Sequence, residues 1–190
     1  MNALKLPIEQ KETIVTAAQG LLSALDWNWT MVDTALEGLD ESQLARRPAE
    51  QCNSIAWTLW HMNRVMDTFV HTRLQNQAQL WIKDNWYEQY GMNADPEDRG
   101  VRWTAAQVAA WAPPAKSVQT GYYDTIKAAT RTFLSTLSAA DLETSRIIPP
   151  APEPRTVAAA LGQVTWDNIA HGGQIAYIRG LFEGMGWYSR

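Results

Sequence analysis

The sequence is poor in cysteine: Cys52 is the only one in 190 residues. A single cysteine excludes an intrachain disulfide and a metal cluster built from several thiolates. Because Cys52 stands shortly before a predicted helix and has no evident histidine partner, we expect a small, half-buried side chain. A catalytic thiol is the alternative interpretation of this position.

Excess positive charge and long apolar runs are also lacking. The chain has 16 Lys and Arg against 20 Asp and Glu, a formal net charge of -4. Without a basic surface, nucleic acids are poor candidate partners. The apolar runs are shorter than the ~20 residues that span a bilayer, and the first residues lack the apolar core of a secretory signal. We therefore expect a cytoplasmic protein that binds neither nucleic acid nor membranes.

What is present is the composition of an ordinary globular protein, with 46% hydrophobic and 19% charged residues. The length and the absence of a composition break predict one domain over residues 1–190. Tryptophan is frequent, with ten residues. We expect these large side chains to fill the spaces between helices. An aromatic pocket and a dimer interface are the alternatives.

Apolar residues recur every three or four positions in four segments, which is the spacing of amphipathic helices. This pattern predicts helices over about 7–39, 55–74, 118–137 and 157–182. Asn53 or Ser54 and Thr156 are the predicted N-caps, and Gly184 is the predicted C-terminal stop. Long helices without competing strand patterns predict an all-α four-helix bundle.

Two long crossover connections join the predicted helices. Residues 75–114 contain several glycines and prolines, although Thr104 and Gln107 have the spacing of a capping box for a short helix. Residues 138–154 contain four prolines, which cannot continue a helix interior. We expect this second connection to be irregular or extended.

Polar residues interrupt the apolar stripe of the last predicted helix. His171 lies within that stripe and Asp167 lies one turn earlier, so both side chains project from one face. Buried polar groups without partners cost about 1–3 kcal/mol each, so these side chains require a partner. His61, on the flank of the second helix, would complete a set of two imidazoles and a carboxylate. Such a set suits Zn²⁺, Ni²⁺ or Fe²⁺ better than Ca²⁺ or Mg²⁺.

A metal-free interpretation explains the same spacing. Asp167 and His171 would then form a buried hydrogen-bonded pair, and His61 would be an unrelated polar residue. The four-residue spacing taken alone favours this interpretation. The third histidine, His71, lies near the end of the second predicted helix, where the helix dipole favours a cation, so we expect it at the surface.

Two blocks of sequence resemble the DinB-like family. Residues 40–65 read DESQLARRPAEQCNSIAWTLWHMNRV, and residues 165–181 read TWDNIAHGGQIAYIRGL. The family reads roughly Ser-Ile-(Ala/Gly)-x-x-x-x-His in its second helix and His-x-x-x-His-x-Gly-Gln-Ile in its last. The resemblance implies a four-helix bundle, often dimeric, with a metal ion held by three histidines. His61 and His171 match two of these histidines.

Asp167 departs from the family pattern, because the family usually has its remaining histidine at this position. Aspartate is also a ligand for Zn²⁺, Ni²⁺ and Fe²⁺. The substitution therefore leaves two outcomes open. Either the site survives with altered charge and metal preference, or it has been lost.

The resemblance also implies a class of reaction. Characterised relatives include thiol S-transferases and an isomerase that use low-molecular-weight thiols such as bacillithiol or mycothiol. A cation lowers the pKa of a bound thiol and produces the nucleophilic thiolate. This predicts a metal-dependent transferase that acts on a small molecule with such a thiol as cosubstrate. The alternatives are a hydrolase that uses metal-bound water and a metal-free binding or structural protein.

Aromatic and arginine side chains near the candidate ligands are the predicted contacts of the substrate and the thiol. Trp57, Trp60 and Trp166 are candidates for the wall of an acceptor pocket. Arg64 and Arg179 are candidates for binding a carboxylate of the thiol, although surface salt bridges explain these arginines equally well.

Overall fold

Four long helical segments form the body of the computed structural model, which describes residues 16–188. Shorter helices lie in the connections between them. In chain order the helical elements are α1 (Ala17–Leu36), α2 (Glu41–Ala45), α3 (Ile55–Asp67), a π-helical segment (Thr68–Leu74), α4 (Leu80–Lys83), α5 (Trp86–Gln89), α6 (Ala105–Ala110), α7 (Lys116–Thr136), α8 (Ala139–Glu143) and α9 (Val157–Glu183).

The predicted helix ends are confirmed where the sequence supplied a capping signal. Ser54 accepts a hydrogen bond from the Trp57 amide at the start of α3, and Thr156 caps α9 in the same way. Gly184, with φ +80°, ends α9. Thr104 caps α6 through the predicted capping box. Side-chain oxygens at these positions satisfy amide groups that the helix itself leaves without a partner.

The first helix is shorter at its C-terminal end than predicted, and its predicted start at residue 7 lies outside the described residues. Thr16 caps α1 and forms a capping box with Gln19. The helix ends at Leu36 instead of residue 39, because Gly38 adopts φ +71° and turns the chain.

The second predicted helix changes its hydrogen-bonding pattern in its last part. It is α-helical to Asp67 and π-helical over Thr68–Leu74. The proline-rich second connection contains strands β1 (Ser145–Ile147) and β2 (Pro154–Thr156), which pair antiparallel with Ser145 opposite Thr156. The part of this connection that contains the prolines is therefore extended, as the sequence predicts, whereas its first residues form the short helix α8, which the sequence did not predict.

The four long segments close into a bundle in which α1 packs on α9, α9 on α3, α3 on α7 and α7 on α1. All residues of α3 are buried, because the 75–114 connection covers the side that faces away from the bundle. Trp60 and Trp81 lie fully in this interior. These tryptophans fill space between elements, as expected, whereas Trp27 and Trp166 are mostly exposed. Among residues 16–188 no helix combines the length and apolarity needed to cross a membrane.

Candidate metal centre

The structure brings together three side chains that are far apart in the chain. His61 projects from α3, and Asp167 and His171 project from α9. Each offers one ligating atom, and these atoms lie within 4.8 Å of one another. The two imidazole rings are perpendicular, with centroids 4.7 Å apart. His61 is buried, while Asp167 and His171 are half-buried, so the cluster lies where the bundle interior meets a cleft.

Hydrogen bonds orient both histidines in the same way. Nδ1 of His61 donates to the main-chain carbonyl oxygen of Arg99. Nδ1 of His171 donates to Oε1 of Gln174 at 2.9 Å. In neutral imidazole, a proton on Nδ1 leaves the lone pair on Nε2. Imidazole ligands of metal ions are typically fixed by a carbonyl or carboxylate partner of this kind.

The carboxylate of Asp167 is not fully hydrogen-bonded within the described residues. Its Oδ1 lies 3.7 Å from Nε2 of His171, which is beyond hydrogen-bonding distance. Its Oδ2 is buried and has no hydrogen-bond partner among the described residues. An unpaired buried carboxylate oxygen is costly, and a cation between Asp167 and the histidines would give it a partner. Two nitrogens and one oxygen also form a donor set that suits Zn²⁺, Ni²⁺ or Fe²⁺.

The two histidines have opposite pKa shifts. Burial lowers the pKa of His61, and the nearby His171 lowers it further. Burial also acts to lower the pKa of His171, but the contacts with Asp167 and Gln174 outweigh it and raise that pKa. At neutral pH, His61 is therefore a neutral imidazole with a free lone pair. A metal ion binding at His171 has to displace a more firmly held proton.

Two clefts flank the cluster. The first, of about 220 Å³, is lined by both His61 and Asp167. The second, of about 450 Å³, lies on the side of Gln174 and includes Cys52, which is half-buried as expected. A small molecule in the first cleft would therefore contact two of the three candidate ligands.

Arg64 does not have the position of a substrate contact, and the predicted role for it is wrong. Its side chain is 0% exposed. The guanidinium donates to the Gln79 side chain and to main-chain carbonyl oxygens of residues 95, 96 and 98. Its donors are therefore used to hold the 75–114 connection against α3.

The predicted tryptophan contacts also need correction. Trp60 is fully buried and packs against Trp103 and Trp111 in the core, so it cannot contact a ligand in a cleft. Trp57 is buried too, and its ring stacks on His61 with a centroid distance of 5.0 Å. It holds the imidazole in place instead of forming a pocket wall. Trp166 is 69% exposed on α9.

His71 is buried, so its predicted surface position is wrong. Its Nδ1 lies 2.7 Å from Oδ1 of Asp67. The Asp67 carboxylate also accepts hydrogen bonds from the amides of Leu80 and Trp81 and from the Tyr122 hydroxyl. His71 is buried because the 75–114 connection packs over this end of the second helical segment. The surface prediction considered only the helix dipole, which carries no information about that packing.

From sequence, the positions of Gln174 and Asn168 on the last helix make both of them candidates to support the ligands, without deciding between them. Gln174 follows His171 by three positions, a spacing that places both on one helix face, so this signal was available. The Arg99 carbonyl belongs to a connection without regular structure, and no sequence signal indicated it. Asn168, the other candidate for support, instead accepts hydrogen bonds from Asn28 and Trp29 on α1.

Comparison with known proteins agrees with this architecture. The family model described as DinB superfamily matches residues 24–175. A solved structure titled "Crystal structure of the conserved protein of locus from Enterococcus faecalis" is 23% identical and superposes with a TM-score of 0.79. That match covers 90% of this chain and 99% of the other, and it shows the fold. No curated protein matches the chain.

Proposed function

The chain belongs to the DinB superfamily, and from this premise we propose that it is a metal-dependent enzyme whose ion is held by His61, Asp167 and His171. The observation that carries the proposal is the buried Oδ2 of Asp167, which has no hydrogen-bond partner among residues 16–188. It belongs to the same cluster as two imidazoles that donate through Nδ1. The donor set favours Zn²⁺, Ni²⁺ or Fe²⁺.

The reaction that we propose is transfer to or from a low-molecular-weight thiol. A metal ion at this site would supply a positive charge that lowers the pKa of a bound thiol. The chain supplies the surroundings: Arg99 and Gln174 fix the two imidazoles, and the buried Val65 and Phe69 form an apolar wall of the cleft. That wall excludes water from one side of the reacting group.

Hydrolysis is the second candidate. The three protein ligands of the cluster would leave at least one position open on a four-coordinate ion, where a water molecule can bind. A metal-free bundle is the rival from another class, in which Asp167 and His171 contact each other only as a polar pair. Metal content separates this rival from both enzymes.

Metal content is the decisive measurement, made by elemental analysis of protein purified without a metal-affinity tag. We expect about one divalent transition-metal ion per chain, and a strong loss of metal in Asp167→Asn and His171→Ala because each removes a ligand. Glu183→Gln removes a carboxylate elsewhere on α9 and should keep the metal. Full metal content in both ligand variants would contradict the proposed ligand set.

Added metal should also stabilise the protein. Zn²⁺ at a hundred times its Kd is expected to raise the free energy of unfolding by about 2.7 kcal/mol. For a chain of this length that corresponds to a rise in Tm of about 5–10 °C. Asp167→Asn should show little of this rise in a thermal melt, and Glu183→Gln should show all of it. An equal rise in Asp167→Asn would place the ion elsewhere.

Activity assays then separate the two reactions. A panel of low-molecular-weight thiols with an electrophilic acceptor tests S-transfer, and esters and amides test hydrolysis. Turnover of an ester or amide without any thiol-dependent reaction would replace the first proposal with the second.

A further inference from the structure

The cleft beside the candidate ligands also contains the side chains of two arginines, neither of which takes part in orienting the candidate ligands. Arg73 comes from the π-helical segment and Arg99 from the 75–114 connection, and both line the cleft together with His61 and Asp167. Both arginine side chains are half-buried. Cations on the wall of a small cleft favour the binding of an anion there.

The guanidinium of Arg73 has N–H donors that no described residue accepts. Its guanidinium lies 4.3 Å from the centre of the Phe69 ring, and within residues 16–188 it forms neither a hydrogen bond nor an ion pair. Burial lowers the pKa of Arg73 to about 10, and the charge of Arg99 adds to this effect. The side chain therefore stays protonated at neutral pH and offers up to five N–H donors.

Neighbouring arginines differ from Arg73 in this respect. Arg155 donates to the carbonyl oxygens of Ile148 and Pro149 and to Gln163. Arg99 pairs with Glu97 at 3.0 Å, but that carboxylate is largely exposed, so the pair is weak. Within residues 16–188, Arg155 thus has protein acceptors, whereas the guanidinium of Arg73 has none.

Charge and size define the ligand. Arg73, Arg99 and the Asp167 carboxylate line the cleft, and Glu97 pairs with Arg99 from the exposed surface. A divalent ion at the cluster would add positive charge to this site. The cleft of about 220 Å³ has the volume of about seven water molecules at about 30 Å³ each. A small organic anion, or the anionic end of a larger molecule, matches both limits. The planar fork of arginine binds carboxylate and phosphate in two-point geometry.

We propose that Arg73, assisted by Arg99, binds a carboxylate or phosphate group of the molecule that reacts at the cluster of His61, Asp167 and His171. The reacting role of this molecule rests on the proposed function, whereas the anion site itself does not require a metal. The guanidinium would hold the charged end of the molecule in the cleft and direct its remainder toward the candidate ligands.

The test measures anion binding by isothermal titration calorimetry on metal-free protein at low ionic strength, where screening is weak. Succinate and inorganic phosphate are the two probes, one for each anion chemistry. We expect the wild type to bind at least one, and Arg73→Gln to bind it about tenfold more weakly, as for loss of a charged hydrogen bond. The matched control is Arg131→Gln on α7, which pairs with Asp26 and should bind as the wild type does.

Two further variants keep the test informative if Arg73→Gln does not fold, and separate the anion site from the metal site. Arg99→Gln keeps the carbonyl oxygen that orients His61 and should also weaken binding, which covers the case that Arg73→Gln does not fold. Asp167→Asn should keep anion binding although it loses the metal, so the two proposals fail separately. Preference for succinate identifies a carboxylate ligand, and preference for phosphate identifies a phosphorylated one. No binding of either probe, or equal binding by wild type, Arg73→Gln and Arg99→Gln, would overturn the anion site.

Discussion

Two aspartate–histidine pairs with the same four-residue spacing have different surroundings in this bundle. The closed pair, Asp67 and His71, lies at the junction of α3 and the π-helical segment, with Nδ1 of the histidine 2.7 Å from Oδ1 of the aspartate. The open pair, Asp167 and His171, lies on α9, and there Nε2 of the histidine is 3.7 Å from Oδ1 of the aspartate. Spacing along a helix therefore does not distinguish a structural pair from a candidate ligand pair.

The difference lies in what packs against each carboxylate. Asp67 is fully buried, and its two oxygens accept from the Leu80 and Trp81 amides, the Tyr122 hydroxyl and His71. The open pair borders a cleft, and Oδ2 of Asp167 lacks a hydrogen-bond partner within the described part of the chain. The Asp67 carboxylate therefore has little capacity left to bind a ligand, whereas the Asp167 carboxylate has a free oxygen among the described residues.

Replacing the two aspartates is the strongest test of this comparison. Asp67→Asn removes the charge beside the buried Arg64, at 3.7 Å, and weakens the bonds that hold α4. We expect a loss of about 3–5 kcal/mol in the free energy of unfolding. Asp167→Asn in metal-free protein should change it by about 0.5–1 kcal/mol at most, because no strong hydrogen bond is lost.

Urea denaturation of metal-free protein at neutral pH measures both values. The two variants carry the same chemical change, so each serves as the matched control of the other. Similar losses of stability in the two would show that the open pair is as firmly built into the fold as the closed pair.

Adjacent glycines on α9 test how closely α1 must approach the open pair. A Cβ added at Gly172 would lie 2.0 Å from Oδ1 of Asn28, whose amide group is itself held by Asn168 at 3.0 Å. Gly172→Ala should therefore cost about 1–3 kcal/mol through overpacking. A Cβ at Gly173 meets nothing within 4 Å, so Gly173→Ala should gain up to about 1 kcal/mol from helix propensity.

Denaturant midpoints of the two glycine variants give the comparison directly. Since Gly172 follows His171, the first variant should also weaken metal binding by displacing the imidazole. If Gly172→Ala leaves the free energy of unfolding unchanged, then Asn28 and α1 can shift at little cost to make room for the added methyl group.

The smallest effect is expected at Tyr90, which packs against Trp81 and Tyr122 near the closed pair. Its hydroxyl is buried and without a hydrogen-bond partner in the described residues, and burial raises its pKa. Unlike Oδ2 of Asp167, it borders no candidate ligand site. Tyr90→Phe should leave stability unchanged or raise it by less than about 1 kcal/mol near neutral pH.

Alkaline pH gives this variant a second measurement. Above pH about 10, tyrosine ionises in the unfolded chain, whereas the folded state keeps the Tyr90 proton, so stability falls as pH rises. Tyr90→Phe lacks this contribution, and its stability should fall less steeply than that of the wild type. Tyr177→Phe, the same chemical change at a side chain that is 72% exposed, supplies a matched control. Identical pH profiles for wild type and Tyr90→Phe would contradict a raised pKa.

Much of the fold was predictable because its signals are local. Ser54, Thr156 and Gly184 mark helix ends through their own side chains or backbone conformation, and apolar spacing places the segments between them. The π-helical segment was not predictable in this way, because it depends on what packs against residues 68–74. The contacts of Arg64 and His71 were missed for a related reason, since their partners come from a connection whose path the sequence pattern does not specify.

The sequence by itself determined the helices, the bundle and which side chains on α9 share a face, because hydrophobic periodicity and capping act over a few residues. Only the tertiary structure decided that His61 meets Asp167 and His171, that the Asp67 pair is closed, and that Arg73 has no acceptor in the part of the chain that the structure describes. Each of these facts depends on groups distant in sequence that approach within a few ångströms. Burial and hydrogen-bond satisfaction are properties of that packing, and residue spacing does not encode them.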